Sequence, residues 1–117
     1  MNNLTIRYRP DIKFLEDTCG KIQELYHSDQ LSIAYVIVTG IAKSHIHRRM
    51  EEVYYIEKGE GKLYVGKEVH PVEPGNIVAI PKNVFHHLER TSAEPLEVMV
   101  VTHPKYDVTD VIEENQK

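Results

Sequence analysis

The segment that decides the fold reads GIAKSHIHRRMEEVYYIEKG, from Gly40 to Gly59. Residues two apart on an extended strand point to the same face, so His45 and His47 can direct two imidazoles towards one point. The carboxylate of Glu52, a few residues later, can return to that point after a turn. Imidazole nitrogens and a carboxylate oxygen suit a divalent transition metal such as zinc, iron, manganese, nickel or copper.

A second segment, GNIVAIPKNVFHH from Gly75 to His87, can close such a site. His86 within it can supply a third imidazole. His87 is adjacent to His86 and is therefore expected on the opposite face of a strand, as a surface or interface histidine.

The two segments resemble, in the right order, the two motifs of the cupin superfamily. The first motif runs Gly, five residues, His-x-His, three or four residues, Glu, six residues and Gly, and it is matched by His45, His47, Glu52 and Gly59. The second runs Gly, five residues, Pro-x-Gly, two residues, His, three residues and Asn, and it is matched by Gly75, Pro81 and His86. The spacing to Gly59 also favours Glu52 over its neighbour Glu51 as the carboxylate ligand.

The chain departs from the two motifs at three positions. Only four residues separate Gly40 from His45, Asn83 replaces the glycine of the second motif, and Arg90 replaces its final asparagine. Asparagine tolerates a left-handed backbone better than most residues, so Asn83 is a mild change. None of the departures removes a predicted metal ligand.

The resemblance extends from Ile33 to Pro104 and implies both a fold and a site. The fold is an all-β jelly-roll barrel, the cupin double-stranded β-helix, with one divalent transition metal bound by His45, His47, Glu52 and His86. Small single-domain cupins, including those often labelled mannose-6-phosphate isomerase-like, comprise isomerases, epimerases, dioxygenases, decarboxylases and binding domains without known catalysis. The fold alone does not choose among these functions.

Length and composition are those of one globular domain. A chain of 117 residues with 41% hydrophobic content suits a single core, and no apolar run is long enough to cross a bilayer. A net charge of -4 offers no general attraction to nucleic acid. Cys19 is the single cysteine, so no intrachain disulfide is expected, and we interpret it as an inert thiol. Together with a start that lacks the apolar stretch of a signal peptide, this predicts a cytoplasmic protein.

Residues that favour strands, β-branched and aromatic, dominate from Leu31 onward. Short runs between Gly, Pro and Asn turns predict strands at Ser32–Thr39, Val53–Glu57, Lys62–Val65, Glu68–Val72, Ile77–Ile80, His86–Glu89 and Leu96–Thr102. Predicted core positions are Val72, Ile77, Ala79 and Leu88. We divide the chain into an N-terminal annex (1–30), a cupin β-barrel (31–104) and a C-terminal tail (105–117). In the annex, a helical turn is indicated by Ile22, Leu25 and Tyr26.

Three further side chains are predicted to bind the substrate. Tyr54 shares a strand face with Glu52, and Arg90 shares one with His86, so both are expected in the metal cavity. A rim salt bridge is an equally good interpretation of Arg90. Tyr35 is included because of its place in a core strand. An inward Arg90 would suit a carboxylate or another anionic group.

The predicted function is that of a metal-binding small cupin, an enzyme that acts on a small oxygen-rich molecule as an isomerase, epimerase or dioxygenase. The cofactor would be Zn, Mn, Fe or Ni. The alternative is a non-catalytic module that binds or senses a small molecule, because no second ionisable group has a clear inward orientation. Leu4 and Ile6 alternate with polar residues in a segment that can add to a partner's sheet, and the resemblance implies pairing of this kind, so a homodimer is expected.

Overall fold

The computed structural model of the chain describes residues 3–17 and 20–114, so Cys19 lies outside the described residues. Within these ranges the regular structure is almost entirely β and forms two antiparallel sheets. The core lies between the sheets, as the jelly-roll prediction requires. No helix in the described part of the chain is long and apolar enough to span a membrane.

The two sheets and two short 3₁₀ helices account for the regular structure of the described residues. The larger sheet runs in the spatial order β1 (Leu15–Asp17), β2 (Gly20–His27), β3 (Ser32–Val38), β10 (Leu96–His103), β5 (Glu51–Lys58) and β8 (Ile77–Ile80). The smaller sheet runs in the order β11 (Ile112–Glu113), β4 (His45–Ile46), β9 (His86–Arg90), β6 (Gly61–Val65) and β7 (Glu68–Val72). The 3₁₀ helices are Arg9–Asp11 and Val108–Asp110.

All seven predicted strands are present, with ends that differ by at most two residues from the prediction. The helical turn predicted at residues 22–26 is wrong, because this segment is part of strand β2. β2 pairs with β3 along its length, and the Gln23 side chain on it is buried and bonded to the backbone carbonyls of Arg9 and Ile12. Pairing with a neighbouring strand therefore outweighs the local helical spacing.

Alternation on β5 shows how the sequence selects one face of a strand. Glu52, Tyr54 and Ile56 are buried, whereas Glu51 and Tyr55 are exposed. The same alternation on the facing strands builds one core from both sheets. Its buried members are Val36, Val38, Tyr54, Ile56, Leu63, Val72, Ile80, Leu88, Leu96 and Val98.

Two of the four predicted core positions are wrong. Val72 and Leu88 are buried, but Ala79 is exposed and Ile77 is 73% exposed. The cause is register: Ile80 lies opposite Glu52 on β5, and such cross-strand partners share a face. The even-numbered residues of β8 therefore face the core, and Ile77 and Ala79 face outward.

Segments outside residues 31–104 extend both sheets. Strands β1 and β2 continue the larger sheet beyond β3, and β11 pairs with β4 at the edge of the smaller sheet. The tail also brings Asp110 into the interior, where it is almost fully buried. The annex thus widens the larger sheet, and the tail supports β4 in the smaller one.

Asn83 occupies the left-handed backbone region, with φ of 63°. This is the position where the second cupin motif has glycine, and asparagine adopts that conformation more readily than most residues. The turn lets the Asn83 N–H donate to the His47 carbonyl oxygen at 2.7 Å. The turn before β9 is thereby tied to the segment that follows β4.

Candidate metal centre

The four predicted ligands lie together between the two sheets. His45 is on β4, His47 follows it, Glu52 is near the start of β5, and His86 begins β9. His45 and His86 are cross-strand partners, which sets two imidazoles side by side. One ligand atom from each of the four side chains lies within 4.8 Å of every other, and all four are buried, with 1–7% exposure. The predicted convergence of His45, His47, Glu52 and His86 is confirmed.

Backbone carbonyls orient all three imidazoles. The Nδ1 atoms of His45 and His47 each lie 2.9 Å from a carbonyl oxygen, of Lys43 and Asp110 respectively. His86 Nδ1 lies 3.1 Å from the carbonyl oxygen of Val84. A carbonyl only accepts hydrogen bonds, so each Nδ1 carries a proton and donates it. The Nε2 atoms are left for the site, which is the orientation that metal-binding histidines require.

Glu52 faces two of these nitrogens. Its Oε1 atom lies 2.9 Å from His86 Nε2 and 3.0 Å from His47 Nε2. The His47 Nε2 atom is buried and makes no hydrogen bond of good geometry among the described residues, despite that short distance. A divalent metal held by three imidazole nitrogens and one carboxylate would satisfy this atom, so the donor set fits such an ion.

The electrostatics of the cluster favour an ionised Glu52. Burial alone would raise the pKa of Glu52, but the His86 hydrogen bond and the close imidazoles of both His47 and His86 lower it to about 2. Burial lowers the pKa of His45, which keeps that imidazole neutral, the form that binds metal. For His47, burial lowers the pKa, but the Glu52 carboxylate 3.0 Å away outweighs burial and raises the pKa. A metal that binds His47 Nε2 would therefore have to displace a proton from that nitrogen into solvent.

Asp110 supports the site from the tail and was not predicted. Its carboxylate accepts hydrogen bonds from the backbone N–H groups of Arg48, Arg49 and Met50 at 2.9–3.0 Å. Its own carbonyl oxygen lies against His47 Nδ1. One residue thus holds both the turn between β4 and β5 and the His47 ring. The sequence around it, Val-Thr-Asp-Val, reads as an ordinary polar tail and carries no signal of this role.

A cavity of about 370 Å³ is lined by three of the four predicted ligands, His45, His47 and Glu52. Aliphatic side chains form much of its wall, among them Val36, Leu88, Val98, Val100 and Val111. Its buried polar residues besides the ligands include Ser32, Tyr54 and Thr102. The charged residues and the further histidine that line it are exposed: Glu16, Glu24, His27 and Lys105.

Tyr54 lies in the cavity wall beside Glu52. Its hydroxyl donates to Glu52 Oε1 at 3.4 Å, a long hydrogen bond. The two residues are on the same face of β5, as the alternation predicts. Whether Tyr54 contacts a substrate remains a prediction.

The expectation that Tyr35 and Arg90 face the cavity is corrected by the structure. Tyr35 lies on the other face of β3, where its hydroxyl donates to Glu97 at 2.6 Å and the Arg9 guanidinium covers its ring. Arg90 donates to the carbonyl oxygen of Ala93 at 3.1 Å, and no carboxylate pairs with it among the described residues. Arg90 is four residues beyond His86, and a strand rises about 3.3 Å per residue. Arg90 can therefore share a strand face with His86 and still lie about 13 Å from it along the strand.

The four other histidines lie outside the candidate metal centre. His87 lies on the opposite face of β9 from His86, with its ring stacked on Tyr64 at 4.4 Å. Exposed histidines His27 and His70 pair with nearby glutamates, and His103 is also exposed.

The family model described as "Cupin domain" matches residues 32–102 of the chain. The protein belongs to the cupin family. That match covers more than half of the sequence and includes all four residues of the candidate metal centre. The family resemblance inferred from the two motifs is therefore confirmed.

Known proteins similar to this cupin include one without an assigned activity and two enzymes. An uncharacterized protein of Methanocaldococcus jannaschii is 31% identical over 96 residues, which cover 76% of this chain and 77% of that protein. An L-ectoine synthase of Aliivibrio fischeri is 28% identical over 104 residues, covering 85% of this cupin and 80% of the enzyme. The solved structure of the nucleoside dehydratase Pac13 superposes with a TM-score of 0.82 at 14% identity, covering 95% and 92% of the two chains.

Proposed function

We propose that this cupin binds one divalent transition metal through the Nε2 atoms of His45, His47 and His86 and the carboxylate of Glu52, and that it is an enzyme acting on a small oxygen-bearing molecule. The observation that carries the proposal is the buried convergence of these four groups at a cavity, with every Nδ1 tied to a carbonyl. Zn, Mn, Fe or Ni suits this donor set. When bound, the metal would polarise a substrate oxygen or lower the pKa of a water molecule.

The residues of the chain provide the setting for such a reaction. The carbonyls of Lys43, Val84 and Asp110 hold the three rings in a fixed tautomer and orientation. The aliphatic walls of the cavity keep bulk water away, which strengthens electrostatic effects inside it. Tyr54, with its hydroxyl next to Glu52, is positioned to hold a proton or donate a hydrogen bond to a ligand.

A non-oxidative reaction is the first choice of reaction class. The sequence motifs favour an isomerase, epimerase or dioxygenase, and two similar proteins are an L-ectoine synthase and a nucleoside dehydratase. Isomerisation, epimerisation and dehydration all require proton transfer next to an oxygen and need no external oxidant. A dioxygenase reaction is the second choice.

A non-catalytic binding or sensing module is the alternative from another class. It is favoured by the position of the ionisable groups around the cavity. Apart from the four ligands and Tyr54, the ionisable cavity residues described by the structure are exposed: Glu16, Glu24, His27, Lys105 and Tyr106. General acid–base catalysis would then depend on Tyr54, Glu52 or a metal-bound water.

Metal analysis of protein purified from its native host tests the proposal. Elemental analysis should give one metal per chain for the wild type and for His70→Ala, a matched control at an exposed histidine. His47→Ala and His86→Ala should each bind the same metal at least about tenfold more weakly. Equal metal content in all four proteins would show that the metal is bound elsewhere. A turnover screen with the metal-loaded protein then separates the enzyme from the binding module.

We also propose that the cupin is a cytoplasmic homodimer. The N-terminal arm supports the dimer, because Leu4 is 79% and Ile6 83% exposed in the single chain. Exposed aliphatic side chains on an extended segment are suited to pairing with another chain. The single cysteine of the sequence supports the reducing compartment.

A further inference from the structure

Thr102 presents a buried hydroxyl to the cavity. Its side chain lines the cavity and the residue is 4% exposed. On β10 it lies opposite Glu52 of β5 on one side and Ser32 of β3 on the other. Side chains of such cross-strand partners share a face, with Cβ atoms about 5 Å apart. The Thr102 hydroxyl therefore lies one strand away from the carboxylate of the candidate metal centre.

This hydroxyl has no hydrogen-bond partner among the described residues. An unsatisfied buried hydroxyl destabilises a protein, and most buried polar groups are paired. The neighbouring Ser32 differs, because its hydroxyl accepts a hydrogen bond from the Tyr106 N–H at 2.7 Å. A ligand held in the cavity would supply the partner that the chain does not provide for Thr102.

The cavity-facing side chains of strand β10 change from polar to aliphatic along the strand. Beyond Thr102, the same face of the strand presents Val100 and then Val98. Val100 lies between Ala34 and Tyr54, and Val98 has Val36 as one of its neighbours. On this face of β10 the hydroxyl is thus at the Thr102 end, and the other end is aliphatic. A polyhydroxylated molecule would leave hydroxyl groups unpaired against those valines, at a cost in affinity.

We propose that the ligand of this cupin is a small molecule with oxygen donors at one end and an apolar body, and that Thr102 is a specificity-determining contact. The Thr102 hydroxyl hydrogen-bonds to the oxygen-bearing end while the body lies along Val100 and Val98. This inference rests on the proposed function, because the oxygen donors are held at the metal. A cavity of about 370 Å³ has the size of a site for one metabolite-sized molecule.

Two hydroxamates with the same metal-binding end test this ligand class. Calorimetric titration of the zinc-loaded protein should show benzohydroxamate binding at least about tenfold tighter than acetohydroxamate, because its ring buries apolar surface. Thr102→Val should weaken benzohydroxamate binding about five- to tenfold. The matched control Thr39→Val, at an exposed position, should leave it unchanged. Zinc content, measured before and after the titration, should be the same in all three proteins.

Thermal unfolding supplies an independent readout. The ligand-free Thr102→Val protein should have a higher Tm than the wild type, because a methyl group replaces an unsatisfied hydroxyl. A lower Tm with unchanged benzohydroxamate affinity would overturn the proposal, since Thr102 would then be a structural residue. Equal affinity of zinc-loaded wild type for both hydroxamates would overturn the apolar ligand class but not the metal site. Failure of the wild type to hold zinc or any other divalent metal would overturn the proposed function and this inference together.

Discussion

At the scale of single residues, the ionisation of one side chain in the candidate metal centre depends on the charge of its neighbours. Glu52 is buried against two imidazoles, and Glu52 and His47 shift each other's pKa. Glu52 keeps a low pKa because the imidazoles of His47 and His86 lie 3.0 and 2.9 Å from its carboxylate, although burial alone would raise that pKa. A change at one ligand should therefore be measurable at another.

Substitution of Glu52 should lower the pKa of His47. Burial lowers that pKa, and the close negative charge of Glu52 is what raises it above the ordinary value. In metal-free Glu52→Gln the pKa of His47 should fall, as followed by NMR titration of the ring resonances. Glu51→Gln is the matched control, because Glu51 is exposed on the other face of β5, and it should leave His47 unchanged. A fall of equal size in both variants would contradict the assignment.

Asn83 is a second residue whose role can be measured. Its φ of 63° lies in the region that most side chains avoid. Asn83→Ala should lower the free energy of unfolding by about 1 kcal/mol, and Asn83→Gly should cost less than that. Chemical denaturation measures both values. A larger loss for glycine than for alanine would show that the side chain of Asn83, and not its backbone, matters most.

At the scale of elements, the tail strand and the 3₁₀ helix at Val108–Asp110 support the turn between β4 and β5. Strand β11 pairs with β4, which carries His45. The 3₁₀ helix delivers the Asp110 carboxylate to three successive backbone N–H groups, those of Arg48, Arg49 and Met50. The geometry of the metal ligands thus depends on an element about 60 residues further along the chain.

Replacement of Asp110 should damage both stability and metal affinity. Asp110→Asn puts an amide N–H group near backbone donors, and we expect a loss of about 2–3 kcal/mol in the free energy of unfolding. Metal affinity should fall about 10- to 100-fold, because the orientation of His47 is disturbed. Asp107→Asn, at a more exposed position in the same segment, is the control and should cost less than about 1 kcal/mol.

The same aspartate gives an acid-dependent stability. Burial would raise the pKa of Asp110, but hydrogen bonds from three backbone N–H groups lower it below the ordinary value of 3.8. The stabilisation is therefore complete above pH 3.8 and is lost as the pH falls through the lower, folded-state value. Between pH 6 and about pH 2, the free energy of unfolding should fall more steeply for the wild type than for Asp110→Asn. Parallel curves would show that other groups control acid unfolding.

At the scale of the whole molecule, two sheets enclose one cavity and leave an apolar arm outside. Leu4, Ile6 and Tyr8 are exposed, and the arm is held to the larger sheet by Arg7, whose guanidinium donates to the Leu25 carbonyl oxygen at 2.6 Å. Apolar side chains presented in this way are expected to be covered by another chain.

Association should therefore depend on the arm. Light scattering at micromolar concentration should give a dimer mass for the wild type and a shift towards monomer for the double variant Leu4→Asp, Ile6→Asp. Val69→Asp is the matched control, because Val69 is an exposed aliphatic residue on edge strand β7 of the other sheet. A monomeric Val69→Asp protein together with a dimeric arm variant would show that the interface is at β7 and not at the arm. A monomeric wild type would contradict the proposal.

Much of this protein follows from short-range patterns in the sequence. Two-residue periodicity assigns Glu52 and Tyr54 to one face of β5, and the spacing around His45, His47 and His86 indicates a candidate metal site and the cupin family. These features are local, because a strand face and a motif are each defined within a few residues. They are therefore readable without knowledge of the rest of the fold.

Other features were decided by tertiary structure alone. Register between β5 and β8, set by hydrogen bonding between strands, turns Ile77 outward, and pairing with β3 makes a strand of residues 20–27. Asp110 and Thr102 owe their positions beside the metal ligands to contacts with residues at least 50 positions away in the sequence. No local pattern encodes which distant backbone a side chain will meet, because that is settled only when the sheets close around a common core.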